Sequence, residues 1–288
     1  MRVVEKPIHA VRDVYQLCVN SISDNNTRVR LNDISNIIED CALEYEQKAR
    51  VSNLYLVPPN YSDNNSIIVG EVTKKELKSI YSQHMVAATK PARRIYDELM
   101  NLAPNGRCPF CGLGHVSTLD HYLPKSKYPF YSVLPINLVP SCKDCNTGKG
   151  AALATCAGEQ PLHPYYDHQH YITEQWIFAE VIETIPLSVR FFVRPPEEWD
   201  PIFKSRVQCH FTDYNLSSRF AVEVADELSS LKYLLTEYIS AAGVDAVKNY
   251  LIGKASAEAN NHINSWLTAL YQALAESNWY CQGGYAFE

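Results

Sequence analysis

The chain has 288 residues, a formal net charge of −6 and a composition close to that of ordinary globular proteins. A chain of this length can form one domain or two smaller ones, each with its own core. The negative charge excludes a protein that coats nucleic acid by net charge alone, so any basic surface must be local. Charges interrupt the N-terminal segment, and no later stretch reaches the ~18 apolar residues of a membrane span, so we expect a cytoplasmic protein without membrane segments.

The N-terminal part of the chain is predicted to be helical. Apolar residues recur at three-to-four spacing over residues 8–22 and 28–55, which is typical of amphipathic helices. The sequence Thr-Lys-Lys-Glu from Thr73 indicates a capping box that opens another helix. Pro91 is expected to kink or restart that helix.

The C-terminal part is predicted to contain a small β region followed by helices. Three runs favour β-strands: residues 176–182, 189–193 and 206–211. From residue 217 to 278 the apolar spacing is helical again, with breaks predicted at Gly243 and Gly253.

The cysteines indicate a metal site near the middle of the chain. Four of the nine cysteines form two C-x-x-C pairs, Cys108 with Cys111 and Cys142 with Cys145. Each pair can turn both of its sulfurs towards one tetrahedral zinc ion. A redox dithiol is the competing interpretation of either pair alone, but two pairs this close in the chain favour structural zinc and a reducing compartment.

Polar residues of the kinds that take part in catalysis lie between the two C-x-x-C pairs and directly after the second pair. Asp120 and His121 follow a short apolar run, and Asn146 follows Cys145 where a helix is expected to begin. Adjacent side chains of a strand point to opposite faces, so Asp120 and His121 meet at one site only if the strand ends or bends there. A zinc ion on the cysteines would fix the distance from Asn146 back to Asp120.

The order C-x-x-C, Asp-His, Asn-Leu and C-x-x-C-Asn with a nearby lysine resembles the zinc-stapled HNH (ββα-metal) endonucleases, over residues 108–150 only. The resemblance implies that His121 is the general base and that Asp120 and Asn146 bind the catalytic divalent ion. Asn137 matches the middle asparagine, which in the family braces the loop between the strands and can orient the histidine. Some members of the family have histidine where this chain has Asn146. Because Asp120 and Asn146 offer oxygen ligands, the expected catalytic ion is Mg²⁺ or Mn²⁺.

The chemistry accounts for these residue types. A neutral imidazole with a pKa near ~6.5 can take a proton from water around pH 7, and the metal stabilises the charge that develops on the phosphate. We expect His121 to lie outside both the zinc site and the core. Five basic and only two acidic residues occupy 107–150, so Lys149, Lys125 and Lys127 are candidates for phosphate binding, although such lysines are often merely solvated.

Residues 161–167 form a proline-rich cluster of histidine, tyrosine and aspartate, which His168 and His170 extend without clear metal spacing. Its tyrosines could line a substrate groove, but a packed turn is the more common structure for such a cluster. His115 lies in the first C-x-x-C loop and is interpreted as a surface residue, since four cysteines already complete a tetrahedron.

We therefore predict an α+β protein with mainly helical flanks around a central ββα-metal core. Its regions are a helical region 1–104, a nuclease core with zinc at 105–160, and a β-then-helical region 161–288 that packs on the core. The helical flanks could also dock a regulatory partner such as an ATPase.

The predicted function is cleavage of DNA, with RNA a less favoured substrate. The alternative is a non-catalytic zinc knuckle that binds nucleic acid or a partner protein. Such a binding module does not need Asp120, His121 and Asn146 together, so their presence favours the enzyme. By analogy with the family, the expected system is bacterial anti-phage defence or a mobile element.

Overall fold

The chain divides into two compact units, Met1–His168 and Gln169–Glu288. The computed structural model describes residues 1–149, 152–167 and 169–287, so Gly150 of the central stretch and His168 lie outside the described residues. Both units combine helices with small antiparallel sheets, two in the first unit and one in the second among the described residues, which confirms the predicted α+β class. Residues 161–167, assigned from sequence to the C-terminal region, belong to the first unit.

Three helices begin the first unit, one within the predicted segment 8–22 and two where the predicted segment 28–55 divides at Ile34. They are α1 (Val11–Asn20), α2 (Asn25–Asp33) and α3 (Ser35–Arg50). The Asp24 carboxylate accepts a hydrogen bond from Thr27 N (2.7 Å), so it satisfies a free N–H at the start of α2. Apolar residues of all three helices are buried in one core: Val14, Tyr15, Cys18, Val19, Leu31 and Ile38.

A short hairpin and two further helices complete this core. Their bounds are β1 (Ile67–Val69), β2 (Val72–Thr73), α4 (Lys74–Ser79), a π-helical turn (Ile80–Met85) and α5 (Arg93–Asn101). The predicted capping box is confirmed, because Thr73 Oγ1 accepts from Glu76 N while the Glu76 carboxylate accepts from Thr73 N. The helix restarts after Pro91 as α5, as predicted.

The central stretch forms two strands followed by a helix. Strand β3 (Thr118–His121) pairs antiparallel with β4 (Leu138–Ser141), and helix α6 (Lys143–Lys149) follows at once. His121 lies opposite Leu138 in this register. Helix α5 packs against both strands. The strand ends that carry the polar residues are therefore anchored to the helical core.

The second unit contains one hairpin and six helices among its described residues. They are α7 (Gln169–Thr173), β5 (Ile177–Ile182), β6 (Ser188–Val193), α8 (Pro201–Asp213), α9 (Leu216–Ala242), α10 (Val244–His262), α11 (Trp266–Glu276) and α12 (Asn278–Cys281). The hairpin β5–β6 confirms two of the three predicted β runs. None of the helices in the described part of the chain is long and apolar enough to cross a membrane.

Two local predictions in this unit were wrong. Residues 206–211 lie inside α8, where Asp200 caps the helix and Pro201 occupies its first position, so the start signals outweigh the β propensity of the run. The break at Gly243 is confirmed by its φ of +78°, but Gly253 lies within α10. Gly253 is exposed, and a glycine in an exposed helix costs only ~1 kcal/mol.

Candidate metal centre and adjacent polar site

The four cysteines of the two C-x-x-C pairs come together as a buried cluster. Their sulfur atoms all lie within 4.8 Å of one another. The sulfurs of Cys111 and Cys142 are 3.9 Å apart. A tetrahedral zinc ion with Zn–S bonds of about 2.3 Å separates its sulfurs by about 3.8 Å, so this donor set fits a structural zinc ion.

The local backbone conformation of each C-x-x-C pair directs its two sulfur atoms towards the centre of the cluster. In the first pair, Gly112 N donates to Cys108 O (2.7 Å), and the φ of +73° at Gly112 is a left-handed conformation that favours glycine. In the second pair, Cys142 follows β4 and Cys145 lies in α6, whose first turn closes with Asn146 N donating to Cys142 O (3.1 Å). The hairpin between the pairs thus sets the geometry of the cluster.

The electrostatics of the cluster favour a bound cation. Hydrogen bonding among the four sulfurs lowers the pKa of Cys111, which accepts, and raises the pKa of Cys145, which donates, so without a cation the sulfurs are not all thiolates together. A divalent ion removes this conflict by neutralising several thiolates together. The N-terminal residues also lie across the first pair, where Arg2 N donates to Pro109 O (2.8 Å). No sequence motif marks this contact, so it could not be predicted.

His121 lies at the end of β3 and is buried, with 8% of its surface exposed. The expectation that it lies outside the core is therefore wrong. Its Nε2 is 2.8 Å from Ser132 O, and the imidazole and the Tyr81 ring pack edge to face with 4.4 Å between ring centroids. A carbonyl oxygen can only accept, so Nε2 carries the proton and Nδ1 has a free lone pair. Burial, followed by the charge of Lys125, lowers the pKa of His121 to about 3.

Asp120 and Lys149 form a buried ion pair beside His121. Lys149 Nζ donates to Asp120 Oδ2 (3.1 Å) and to the backbone carbonyls of His121 (3.2 Å) and Tyr122 (2.7 Å). Burial nevertheless raises the pKa of Asp120, and Lys149 only partly offsets this effect. Because its ammonium group is directed into the protein, the structure places Lys149 as a partner of Asp120 and not as a lysine exposed to phosphate.

Asn146 lies on the same side of β3 as Asp120. Its Nδ2 donates to Thr118 Oγ1 (3.3 Å), and Thr118 and Asp120 share one face of the strand. One turn later on α6, Lys149 meets Asp120. Helix α6 therefore lies along this face, and it brings Asn146 and Asp120 to the same strand–helix interface. His121 is the last residue of β3, so alternation no longer fixes its side chain beyond that point, and its imidazole contacts Tyr81 and Ser132 O.

Asn137 holds the connection between the two strands. It is fully buried, and its Oδ1 accepts from Leu123 N (2.7 Å). Its Nδ2 donates to Leu123 O (3.1 Å) and to Tyr131 O (3.2 Å). The asparagine thus joins the start and the middle of the loop that carries Ser132, the residue whose carbonyl holds His121.

Residues 161–167 form a packed turn, the more common of the two structures expected for such a cluster. His163 stacks on Tyr122 with 4.1 Å between ring centroids, and Tyr165 Oη donates to Leu138 O (2.7 Å). Both His163 and Tyr165 are almost completely buried. The turn therefore packs against the start of β4 through Tyr165. His115 is exposed, as predicted.

Fold and site together define an α+β protein with a buried four-cysteine metal centre and a polar strand–helix site beside it. No family model matches the chain, and no solved structure matches it. Protein ea31 of Escherichia phage lambda is 34% identical over 230 residues, which cover 76% of this chain and 77% of the phage protein. The chain therefore belongs to the same family as protein ea31 of phage lambda.

Proposed function

We propose that the protein is a metal-dependent endonuclease of the HNH class that hydrolyses phosphodiester bonds in DNA. The observation that carries the proposal is the position of His121 at the end of β3, where Ser132 O holds Nε2 (2.8 Å) and so makes Nδ1 the proton acceptor of the neutral ring. The β–β–α order around it and the cysteine cluster beside it support the same conclusion.

In the proposed reaction, His121 acts as general base. Nδ1 removes a proton from a water molecule, and the water oxygen forms a bond to phosphorus as the bond to the 3′ oxygen breaks. The Ser132 carbonyl accepts from Nε2–H, so it holds the ring in one tautomer and stabilises the positive charge that the ring gains. The leaving oxygen takes its proton from solvent.

Asp120 and Asn146 would hold the catalytic divalent ion. The carboxylate and the amide oxygen are hard donors of the kind that Mg²⁺ and Mn²⁺ prefer. Asp120 also fits a cation because burial penalises its negative charge, which Lys149 offsets only in part. When bound, the ion would supply Lewis-acid stabilisation of the phosphate in the transition state. Lys149 would orient Asp120 and the backbone of residues 121 and 122.

The proposal is tested by single-turnover cleavage of a plasmid with Mg²⁺. The cleavage rates of His121→Ala and His121→Gln should both be lower than that of the wild type by ~10²–10⁴-fold, since general-base catalysis typically contributes that factor. His121→Gln keeps a donor for Ser132 O but has no basic nitrogen, so it separates catalysis from packing. The exposed His115→Ala is the matched control and should cleave like the wild type.

Equal rates for the wild type and both His121 variants, at equal zinc content, would reject the nuclease mechanism. A wild type that binds nucleic acid but cuts neither DNA nor RNA with any divalent ion would favour the zinc-knuckle binding module.

We also infer a role within a mobile genetic element, because the related protein ea31 comes from a phage. A role in anti-phage defence and an ATPase partner stay predictions. Sequencing the genes on either side tests the inference, which requires phage or other mobile-element genes there. Chromosomal housekeeping genes on both sides would contradict it.

A further inference from the structure

A group of lysines beside His121 has no use in the proposed chemistry. Lys125 Nζ lies 4.2 Å from the centre of the Tyr81 ring, the same ring that meets His121. Burial, and secondly the nearby charge of Lys78, lower the pKa of Lys125 to about 8. Lys78 therefore lies close to Lys125. Like charges held together without an acidic partner favour an anion between them.

An exposed aromatic ring extends this group. Lys127 Nζ lies 4.3 Å from the centre of the Tyr61 ring, and 69% of Tyr61 is exposed. One face of the ring therefore meets a cation while much of the side chain remains open to solvent. Lys78 Nζ donates to Asn64 Oδ1 (2.9 Å), and none of the three lysines forms an ion pair with a described residue.

The loop that carries Tyr61 is held in place on both sides. The buried Lys74 Nζ donates to Asn60 O (2.8 Å) and Ser62 O (2.9 Å), the residues that flank Tyr61. Asn60 N donates to Lys127 O (2.7 Å), which joins this loop to the loop that follows β3. The backbone on both sides of Tyr61 is thus positioned before any ligand binds, so little backbone entropy is lost on binding.

We propose that Tyr61, Lys78, Lys125 and Lys127, the lysine–tyrosine surface, bind a single-stranded segment of the nucleic acid next to the site of cleavage. Lysine ammonium groups take the phosphates, and an unpaired base stacks on the open face of Tyr61. A duplex keeps its bases stacked inside the helix, so it cannot use the ring in this way. The inference rests on the proposed nuclease function, since it makes unpaired strands the preferred substrate.

The test measures binding of the full chain by fluorescence anisotropy, with no divalent ion added so that no strand is cut. The probes are a single-stranded DNA of about 20 nucleotides, longer than the ~4–16 that one such platform covers, and the matching duplex. Tyr61→Ala should weaken single-strand binding by about tenfold and have little effect on the duplex. The exposed Tyr233→Ala is the matched control and should bind like the wild type.

Salt dependence tests the lysines separately. Lys78→Gln should reduce the slope of log affinity against log salt concentration by about 0.7, the value of one phosphate contact on a single strand. Lys75→Gln removes the same charge from an exposed position on the same helix and should leave the slope unchanged.

Two results would overturn the inference. One is equal binding of single strand and duplex with no effect of Tyr61→Ala. The other is equal loss for Lys75→Gln and Lys78→Gln. In either case plasmid cleavage by the wild type would leave the nuclease proposal standing. Conversely, Tyr61-dependent binding without cleavage under any metal would reject the nuclease mechanism and retain the surface.

Discussion

The ionisation of His121 is controlled first by burial and then by the charge of Lys125. Both effects favour the neutral ring, so its pKa of about 3 lies well below the ~6.5 of a free histidine. A neutral base is therefore available at every pH above about 4. This changes the expected pH dependence of cleavage from that of an ordinary histidine.

We predict that the single-turnover cleavage rate is level between about pH 5 and pH 7.5, because a general base with a depressed pKa is already deprotonated throughout that range. The measurement is the pH profile of the wild type at saturating Mg²⁺. A tenfold rise per pH unit that ends near pH 6.5 would show instead that His121 titrates as an exposed histidine does.

The pair of Asp120 and Lys149 places two opposite charges in the protein interior, with side chains only 5% and 6% exposed. Removing one partner leaves the other buried and unpaired, which typically costs about 3–5 kcal/mol. Lys149→Met should therefore lower the free energy of unfolding by about that amount. The double variant Asp120→Asn with Lys149→Met should recover much of the loss, because neither buried charge remains.

Urea unfolding of the full chain measures both variants. Lys143→Met is the control, since Lys143 is exposed on the same helix and should change stability little. If Lys149→Met and Lys143→Met were equally stable, the ion pair would have no structural role.

At the scale of elements, the four-cysteine cluster joins the β3–β4 hairpin to α6, and a zinc ion bound there would hold the two together. Structural zinc contributes on the order of 10 kcal/mol to the folding of small domains. Cys142→Ser should therefore lose the metal and unfold this part of the first unit, while Cys156→Ser should keep it, since Cys156 is exposed and outside the cluster. Metal analysis of purified protein should find about one zinc per wild-type chain. A folded, active and zinc-free preparation would exclude a structural zinc centre.

The loop between β3 and β4 depends on one buried side chain. Asn137→Ala removes three hydrogen bonds and takes the Asn137 partner from the N–H and the carbonyl of Leu123, at a cost of about 1–3 kcal/mol for each group left unsatisfied. Tyr131 O still accepts from Leu134 N (3.3 Å). We predict a lower melting temperature and slower cleavage, since the same loop supplies the carbonyl that holds His121. Thermal unfolding followed by circular dichroism checks the first effect. An unchanged melting temperature would mean that the loop is held by other contacts.

At the scale of the whole molecule, every residue of the metal centre and the polar site lies in the first unit. A fragment of residues 1–168 should therefore fold and retain about one zinc ion. The complementary fragment 169–288 should contain none, because its cysteines, Cys209 and Cys281, are not part of the cluster. Zinc analysis of the two fragments, purified separately, tests this division. Failure of fragment 1–168 to bind zinc would show that the two units depend on each other.

Sequence alone determined the features that depend on short-range geometry. Spacing of apolar residues placed helices within residues 8–22 and 28–55, Thr73 and Glu76 predicted a capping box, and two C-x-x-C pairs predicted the four-cysteine cluster. Such features are readable because covalent geometry sets the distances between residues a few positions apart. Where two local signals competed, as in residues 206–211, the capping at the helix start prevailed over β propensity.

Only the tertiary structure decided how polar residues distant in sequence combine. It paired Lys149 with Asp120, turned His121 towards Tyr81 and Ser132, and buried His163 against Tyr122. It also brought the loop of Tyr61 beside Lys127. In the sequence, a lysine that will be buried has the same charge and the same hydrophobicity as one that will be solvated, so the two cannot be told apart. The difference arises when helices and strands pack, because packing determines which side chains lose water and which partners replace it.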